Sequence, residues 1–146
     1  MIAPEIAEIA TAEKPALWAM YQRYARELAP MANIQPVDNE IPAPDFDDFW
    51  KKPRHWPLWA SADGARIGFA LIRFMPAFDA MQMSQFYIVP GHRRGGCGQA
   101  FARTLLARHP GPWRIRQMAA NTSAVAFWRR VADKGLDRVE QRFMVS

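Results

Sequence analysis

Much that would point to a function directly is missing from this sequence. There is one cysteine, Cys97, in 146 residues, which excludes an internal disulfide framework. The three histidines, His55, His92 and His109, and Cys97 do not fall into the short paired spacings of metal-ligand sets, so no metal is expected. No apolar run approaches the ~20 residues that a membrane-spanning helix needs. The opening MIAPEIAEIATAEK carries Glu5 and Glu8 and no positively charged stretch, so no secretory signal is expected and a cytoplasmic location is. There are no internal repeats, and no shift in composition marks a domain boundary.

What is present suits one domain with a real core. Half of the residues are hydrophobic, which argues against disorder, and the length is that of an ordinary single domain, expected to span residues 1–146. The net charge is +5, with arginine far outnumbering lysine. A basic balance favours anionic partners in general without choosing among nucleic acid, phosphorylated cofactors and acidic surfaces.

The pattern along the chain alternates between strand and helix. Ile2 to Ile9 reads as a short strand. Thr11 reads as a helix start, with Leu17, Met20, Tyr21, Tyr24 and Leu28 at helical spacing and Pro30 as its end. A proline-rich excursion from Asn33 to Pro57 follows, with one short helix expected around Asp45 to Lys51. Trp56 to Ser61, the turn Asp63-Gly64 and Arg66 to Phe74 read as a hairpin. Met81 to Val89 is a further strand. A helix from Gly96 to Arg108 carries Cys97, Phe101 and Leu105 on one face and stops at His109-Pro110. Trp113 to Gln117 alternates like a strand. Asn121 reads as the N-cap of a helix bearing Ala124, Phe127, Trp128 and Val131, and Gly135 as the residue that follows its end. Val139, Phe143 and Val145 suggest a terminal strand.

Between the strand ending at Val89 and the next helix lies His92-Arg93-Arg94-Gly95-Gly96-Cys97-Gly98-Gln99. Known phosphate loops fail here. The dinucleotide fingerprint would need glycine or alanine at Phe101, and Cys97-Gly98 replaces the Lys-Ser/Thr pair of a Walker loop. A strand, a bare backbone and a helix N-terminus can hold an anion on free N–H groups, with Arg93 and Arg94 adding charge-assisted contacts. The same letters also fit a glycine-rich turn with solvated arginines, and the loop alone leaves both readings open.

Ile88 to Gly98 resembles motif A of the GCN5-related N-acetyltransferases, the GNAT family. Arg93, Gly96 and Gly98 occupy the fixed positions of its Q/R-x-x-G-x-G/A pattern. Asn121, Ala124, Phe127 and Trp128 are similar to the family's N-x-x-A-x-x-F-Y segment, and Pro110 to Trp128 resembles a bacterial group of predicted acetyltransferases. The order of elements matches over nearly the whole chain. The resemblance implies an α/β fold with a mixed, mainly antiparallel sheet and helices on both faces. It also implies acetyl-CoA as co-substrate. The backbone of Phe86, Tyr87 and Ile88 would pair with the pantetheine arm. Arg93, Arg94, Gly95, Gly96, Cys97, Gly98 and Gln99 would take the phosphates, and Asn121 would contact the cofactor beyond the thioester, although a plain N-cap explains Asn121 equally well.

The catalytic letters depart from the family. Gln85 stands where relatives carry a carboxylate base, Arg116 where some carry glutamate, and Trp128 where they carry a tyrosine acid. An indole can donate a hydrogen bond but supplies no proton. Tyr87 and Trp128 are the candidate catalytic residues, Tyr87 also being readable as a core aromatic. His92 is read as a packing residue of the loop. Asp38, Glu40, Asp45, Asp47 and Asp48 concentrate acid in a basic protein. By the resemblance, their segment and the first helix would wall the acceptor cleft and suit a cationic amine. The expected activity is acetyl transfer from acetyl-CoA to a primary amine, on a small molecule or a peptide. The rival is an acyl-CoA-binding module that has lost catalysis. Neither nucleic acid nor membrane is expected as a partner, and a homodimer is left open.

Overall fold

A computed structural model describes residues 3–132 and 139–144. Six strands form one sheet in chain order: β1 (Glu5–Glu8), β2 (His55–Ala62), β3 (Ala65–Met75), β4 (Ala80–Ile88), β5 (Trp113–Met118) and β6 (Val139–Met144). The pairs from β1 to β4 are antiparallel, whereas β4–β5 and β5–β6 are parallel. The connections dictate this. Asp63 (φ 51°) and Gly64 (φ 77°) make the left-handed two-residue turn that matches strand twist. The two parallel pairs need helical crossovers, supplied by α3 (Cys97–Arg108) and α4 (Thr122–Ala132). The sheet is the mixed, mainly antiparallel one expected.

Each face of the sheet buries its own cluster. Helices α1 (Lys14–Ala32) and α2 (Asp48–Lys51) cover one face, packing Leu17, Tyr21, Phe49, Trp59 and Phe69. Helices α3 and α4 cover the other, with Phe101, Leu105, Trp113, Ile115 and Val131 fully buried. At ~25 cal/mol per Å² of apolar surface removed from water, such aromatic and aliphatic side chains supply most of the driving force for folding.

Three expectations about the first half need correction. The first helix does not end at Pro30 but runs to Ala32, with Pro30 in its last turn. A proline there removes only one N–H donor, and the stop comes from Asn33, in the left-handed conformation that closes helix ends (φ 57°). The helix expected over Asp45 to Lys51 is only the single turn Asp48–Lys51. The excursion ends sooner than Pro57, which lies inside β2. Its placement comes from side chains on α1. The buried Gln22 amide donates to Ile41 O (2.9 Å) and accepts from Ile41 N–H (2.7 Å), while Trp18 Nε1 donates to Glu40 and Arg26 to the carbonyl of Asn39. Ile2, Gly135 and Val145, expected in the first strand, after the last helix and in the terminal strand, lie outside the described residues.

One irregularity in β4 positions everything that follows. The register runs Ile72↔Met83 and then Leu71↔Gln85, leaving Ser84 as an extra residue, a β-bulge. Side chains alternate with period two along a strand, so an extra residue swaps the faces. Met81 and Met83 before the bulge pack on the α3/α4 face, as do Phe86 and Ile88 after it. Gln85 and Tyr87 are turned toward α1.

Candidate active site

Strands β4 and β5 pair only over Met81↔Trp113, Gln82↔Arg114 and Met83↔Ile115. Beyond the bulge they separate, and β4 keeps a partner on its β3 side alone. Val89 N–H donates to Ile67 O at 2.8 Å. By the alternation of an antiparallel ladder, Tyr87 then also exchanges hydrogen bonds with Phe69, and Phe86 and Ile88 turn their N–H and C=O groups outward into the gap. An open strand edge is a template for another extended chain. Of the three residues expected to present backbone there, Phe86 and Ile88 do so; the backbone of Tyr87 belongs to β3.

The gap opens into a cleft of about 460 Å³. Tyr24 and Leu28 of α1, Asp45 and Asp48 of the excursion, Gln85 and Phe86 of β4, Arg116 of β5, and Asn121 and Trp128 line it. Thus the helix α1 wall, the acidic segment and the α4 residues meet at one place although they are remote in sequence.

At the far end of β4 stands the glycine loop. Gly96 is the N-cap residue of α3, with φ 77° and no side-chain cap. A residue with a Cβ is strained in that conformation. The first N–H groups of a helix have no partners within it, and among the described residues none from Arg94 to Gln99 donates to another loop or turn carbonyl. Partial positive charge therefore collects at the N-terminus of a twelve-residue helix. Gly98 is buried, and a Cβ on it would lie 3.4 Å from Ile88 and from Phe127, so its bareness lets α3 close on β4 and α4.

The arginines divide. Arg93, expected to reach into the loop, instead folds back: its Nε donates to Ile88 O (2.7 Å), its Nη2 bonds the Glu27 carboxylate (2.9 and 3.2 Å), and its guanidinium lies over the Tyr87 ring. It clamps the strand end, the loop and α1 together, because Glu27 offers it a carboxylate close by. Arg94 is exposed, with no ion pair among the described residues. His92, read as a packing residue, is exposed in a 3-10 turn. The Cys97 thiol is half-buried, and burial pushes its pKa up, which suits packing rather than nucleophilic chemistry.

Tyr87 and Trp128 are not brought together. Tyr87 is buried on the α1 face against Tyr24 and Phe69 and does not line the cleft. Burial, and then the hydrogen bond and charge of Glu27, push its phenol above the usual range. As a candidate acid it is misplaced, since the bulge at Ser84 turned it from the cleft. Trp128 does line the cleft, packed edge-on against Phe86 (5.0 Å) and Phe127 (4.9 Å). Asn121 caps α4, its Oδ1 accepting from Ala124 N–H at 3.3 Å.

The acids divide too. Asp47 is bound to Lys14 (2.6 Å), whose hydrogen bond and charge hold its carboxyl below the usual range. Asp48 pairs with Lys52 (3.2 Å). Asp45 is exposed at the cleft and forms no ion pair among the described residues.

Sequence reasoning missed Tyr24 as a cleft residue. Its hydroxyl donates to Gln85 Oε1. The available signal was that the chain has only three tyrosines, two of them a helical turn apart on α1.

Known proteins share this architecture. A family model described as Acetyltransferase (GNAT) family matches residues 8–132. A search of curated proteins finds no match. Among solved structures, the ribosomal-protein-S18-alanine N-acetyltransferase of Escherichia coli is similar, with TM-score 0.62 and 17% identity, covering 87% of this chain and 75% of that one. A mutant Bacillus halodurans protein superposes with TM-score 0.71 at 14% identity, covering 90% and 92%. An aminoglycoside acetyltransferase from an uncultured soil metagenomic sample gives 0.62 at 13%, covering 89% and 91%. At these identities the likeness is one of fold.

Proposed function

Since the chain belongs to the GNAT acetyltransferase family, we propose that residues 1–146 act as one N-acetyltransferase domain that moves an acetyl group from acetyl-CoA to a primary amine. The observation that carries this reading is the separation of β4 from β5 after Met83↔Ile115, ending beside the uncapped N-terminus of α3. An open edge and an anion-binding helix end, joined by a bare glycine loop, suit a ligand that is extended and amide-bearing at one end and phosphorylated at the other.

The residues divide the work as follows. The outward groups of Phe86 and the outward N–H of Ile88, whose carbonyl Arg93 holds, pair with the amide-bearing arm. The amides from Arg94 to Gln99 hold the phosphates, with the Arg94 guanidinium as an added charge. Arg93 acts through the clamp it makes with Ile88 and Glu27, keeping strand edge and loop in register. When bound, acetyl-CoA supplies an already activated thioester, so orientation and exclusion of water in the cleft do much of the remaining work. Asn121 borders the cleft at the N-terminus of α4, and Trp128 packs behind Phe86.

The test is release of free thiol from acetyl-CoA over a panel of amines, with acetyl-CoA affinity measured by calorimetry. Binding with turnover supports the transferase. Binding with no turnover on any amine supports the rival reading, an acyl-CoA-binding module, which the replacement of the usual acid and base by Trp128 and Gln85 favours.

Two variants probe the walls of the cleft. Trp128→Phe is expected to change kcat by less than about threefold and to leave the acetyl-CoA Kd unchanged, since phenylalanine preserves most of the packing against Phe86 and Phe127. A folded, acetyl-CoA-binding Trp128→Phe protein without activity would give the indole a chemical role instead. Asp45→Asn is expected to raise KM for a cationic amine by up to about fivefold, the scale of an exposed ion pair, with acetyl-CoA affinity unaffected. Because the charge is exposed, the difference should shrink with added salt. An unchanged KM at low salt would remove Asp45 from acceptor binding.

A further inference from the structure

The phenol that relatives carry on α4 is absent at Trp128, but another phenol reaches the cleft from the opposite side of the sheet. Tyr24 projects from α1 with its ring edge-on to Tyr21 (5.6 Å), Phe69 (5.6 Å) and Tyr87 (5.5 Å). Three ring contacts fix the direction of the side chain. Its hydroxyl lies at the start of the open edge, beside the backbone of Phe86, and it donates to Gln85 Oε1. Phe86 is the first residue past the bulge whose backbone faces the gap, so this hydroxyl stands where an extended ligand would enter the edge.

We propose that Tyr24 is a catalytic residue whose hydroxyl donates a hydrogen bond to the carbonyl oxygen of the reacting thioester. This rests on the acetyl-transfer reading above. The rearrangement it needs is small: the O–H turns from Gln85 Oε1 to the substrate oxygen. As the amine nitrogen bonds to the carbonyl carbon, negative charge builds on the oxygen and is met by this donor. The C–S bond then breaks, the electron pair leaves on sulfur as thiolate, and the surplus proton on nitrogen passes to water. Tyr24 neither gains nor loses a proton. Burial pushes its pKa well above the usual range, which keeps the hydroxyl a donor throughout. Gln85, unable to act as a base, has the different task of holding the hydroxyl in place before the substrate arrives.

The experiment compares wild type, Tyr24→Phe and Gln85→Ala. Phenylalanine keeps the ring contacts, so Tyr24→Phe should melt near the wild-type temperature and bind acetyl-CoA with unchanged Kd. Its kcat should fall by about 10²-fold or more, the scale on which loss of one donor to a developing oxyanion is felt. Gln85→Ala should lose no more than a few-fold. If Tyr24 served only to position Gln85, the two variants would fall equally, and that result overturns the proposal. A readout independent of turnover is the carbonyl stretch of bound, carbonyl-13C-labelled acetyl-CoA. It should lie lower in wild type than in Tyr24→Phe, and a wild-type band no lower than that of the thioester in an aprotic solvent also overturns the proposal, whether or not the variant folds. Failure of wild type to bind acetyl-CoA removes both this proposal and the acetyl-transfer reading. Wild-type turnover matched by Tyr24→Phe removes the role of Tyr24 alone.

Discussion

A Gly96→Asp variant is expected to lose acetyl-CoA binding by at least about a hundredfold in Kd, or about 2.7 kcal/mol, while remaining folded. Gly96 ends the loop at the N-cap of α3 with φ 77° and no capping side chain. Aspartate tolerates the left-handed conformation better than most residues, and a carboxylate beside a helix N-terminus interacts favourably with the exposed N–H groups. The substitution therefore places a negative charge where the phosphates are proposed to lie without harming the helix. Thermal melting should give a transition close to that of wild type, and calorimetry should detect no acetyl-CoA heat at concentrations that saturate wild type. Unchanged affinity in the folded variant would remove the helix N-terminus from cofactor binding, and the proposed function with it.

The second large effect is expected at a glycine in the sheet. Gly68 lies on β3 opposite Ile88, at the end of the β3–β4 ladder. A Cβ there would fall far inside van der Waals contact distance of the Tyr87 carbonyl oxygen and 2.9 Å from Ile88 Cδ1. Backbone cannot yield as a flexible side chain can, so Gly68→Ala has to push the end of β4 away from β3. The expected cost is about 3 kcal/mol or more, at the upper end of overpacking, which for a chain of this size lowers Tm by several degrees. Because Phe86 and Ile88 form the open edge, acetyl-CoA affinity should fall in the same variant. A wild-type melting curve with wild-type affinity would show that the ladder gives way without consequence and that the spacing of β3 and β4 does not matter to the site.

These two glycines show how differently the sequence speaks. Gly96 is legible because it belongs to a local pattern, strand, then Arg93-Arg94-Gly95-Gly96-Cys97-Gly98, then helix, and its own place at the start of α3 is set within a few residues. Gly68 sits in an ordinary apolar strand, and its reason is a carbonyl nineteen residues away. The hairpin turn at Asp63-Gly64, the Asn121 cap and the apolar faces of α3 and α4 are local in the same sense as the loop. So is the order of elements, from which the mixed sheet with helices on both faces follows, since tight turns join antiparallel neighbours and helices join parallel ones.

What the sequence could not decide was which side chains face one another. Period-two counting from Met81 places Gln85 and Tyr87 on the same face as Met83, but the bulge at Ser84, set by how β4 lies on β3, reverses the count. That single extra residue hides Tyr87 under α1, turns Gln85 to Tyr24 and opens the Phe86 edge. Arg93 is drawn out of its loop by Glu27, a partner 66 residues distant. The acidic run around Asp45 divides because Lys14, Lys51 and Lys52 neutralise Asp47 and Asp48. Local sequence thus determined the order of the elements, the turns and the glycine loop, because backbone conformation and helix ends are governed by near neighbours. Tertiary structure alone decided the facing of β4, the partner of Arg93 and the arrival of Tyr24 at the cleft, because each depends on contacts between segments whose separation along the chain carries no signal in the letters between them.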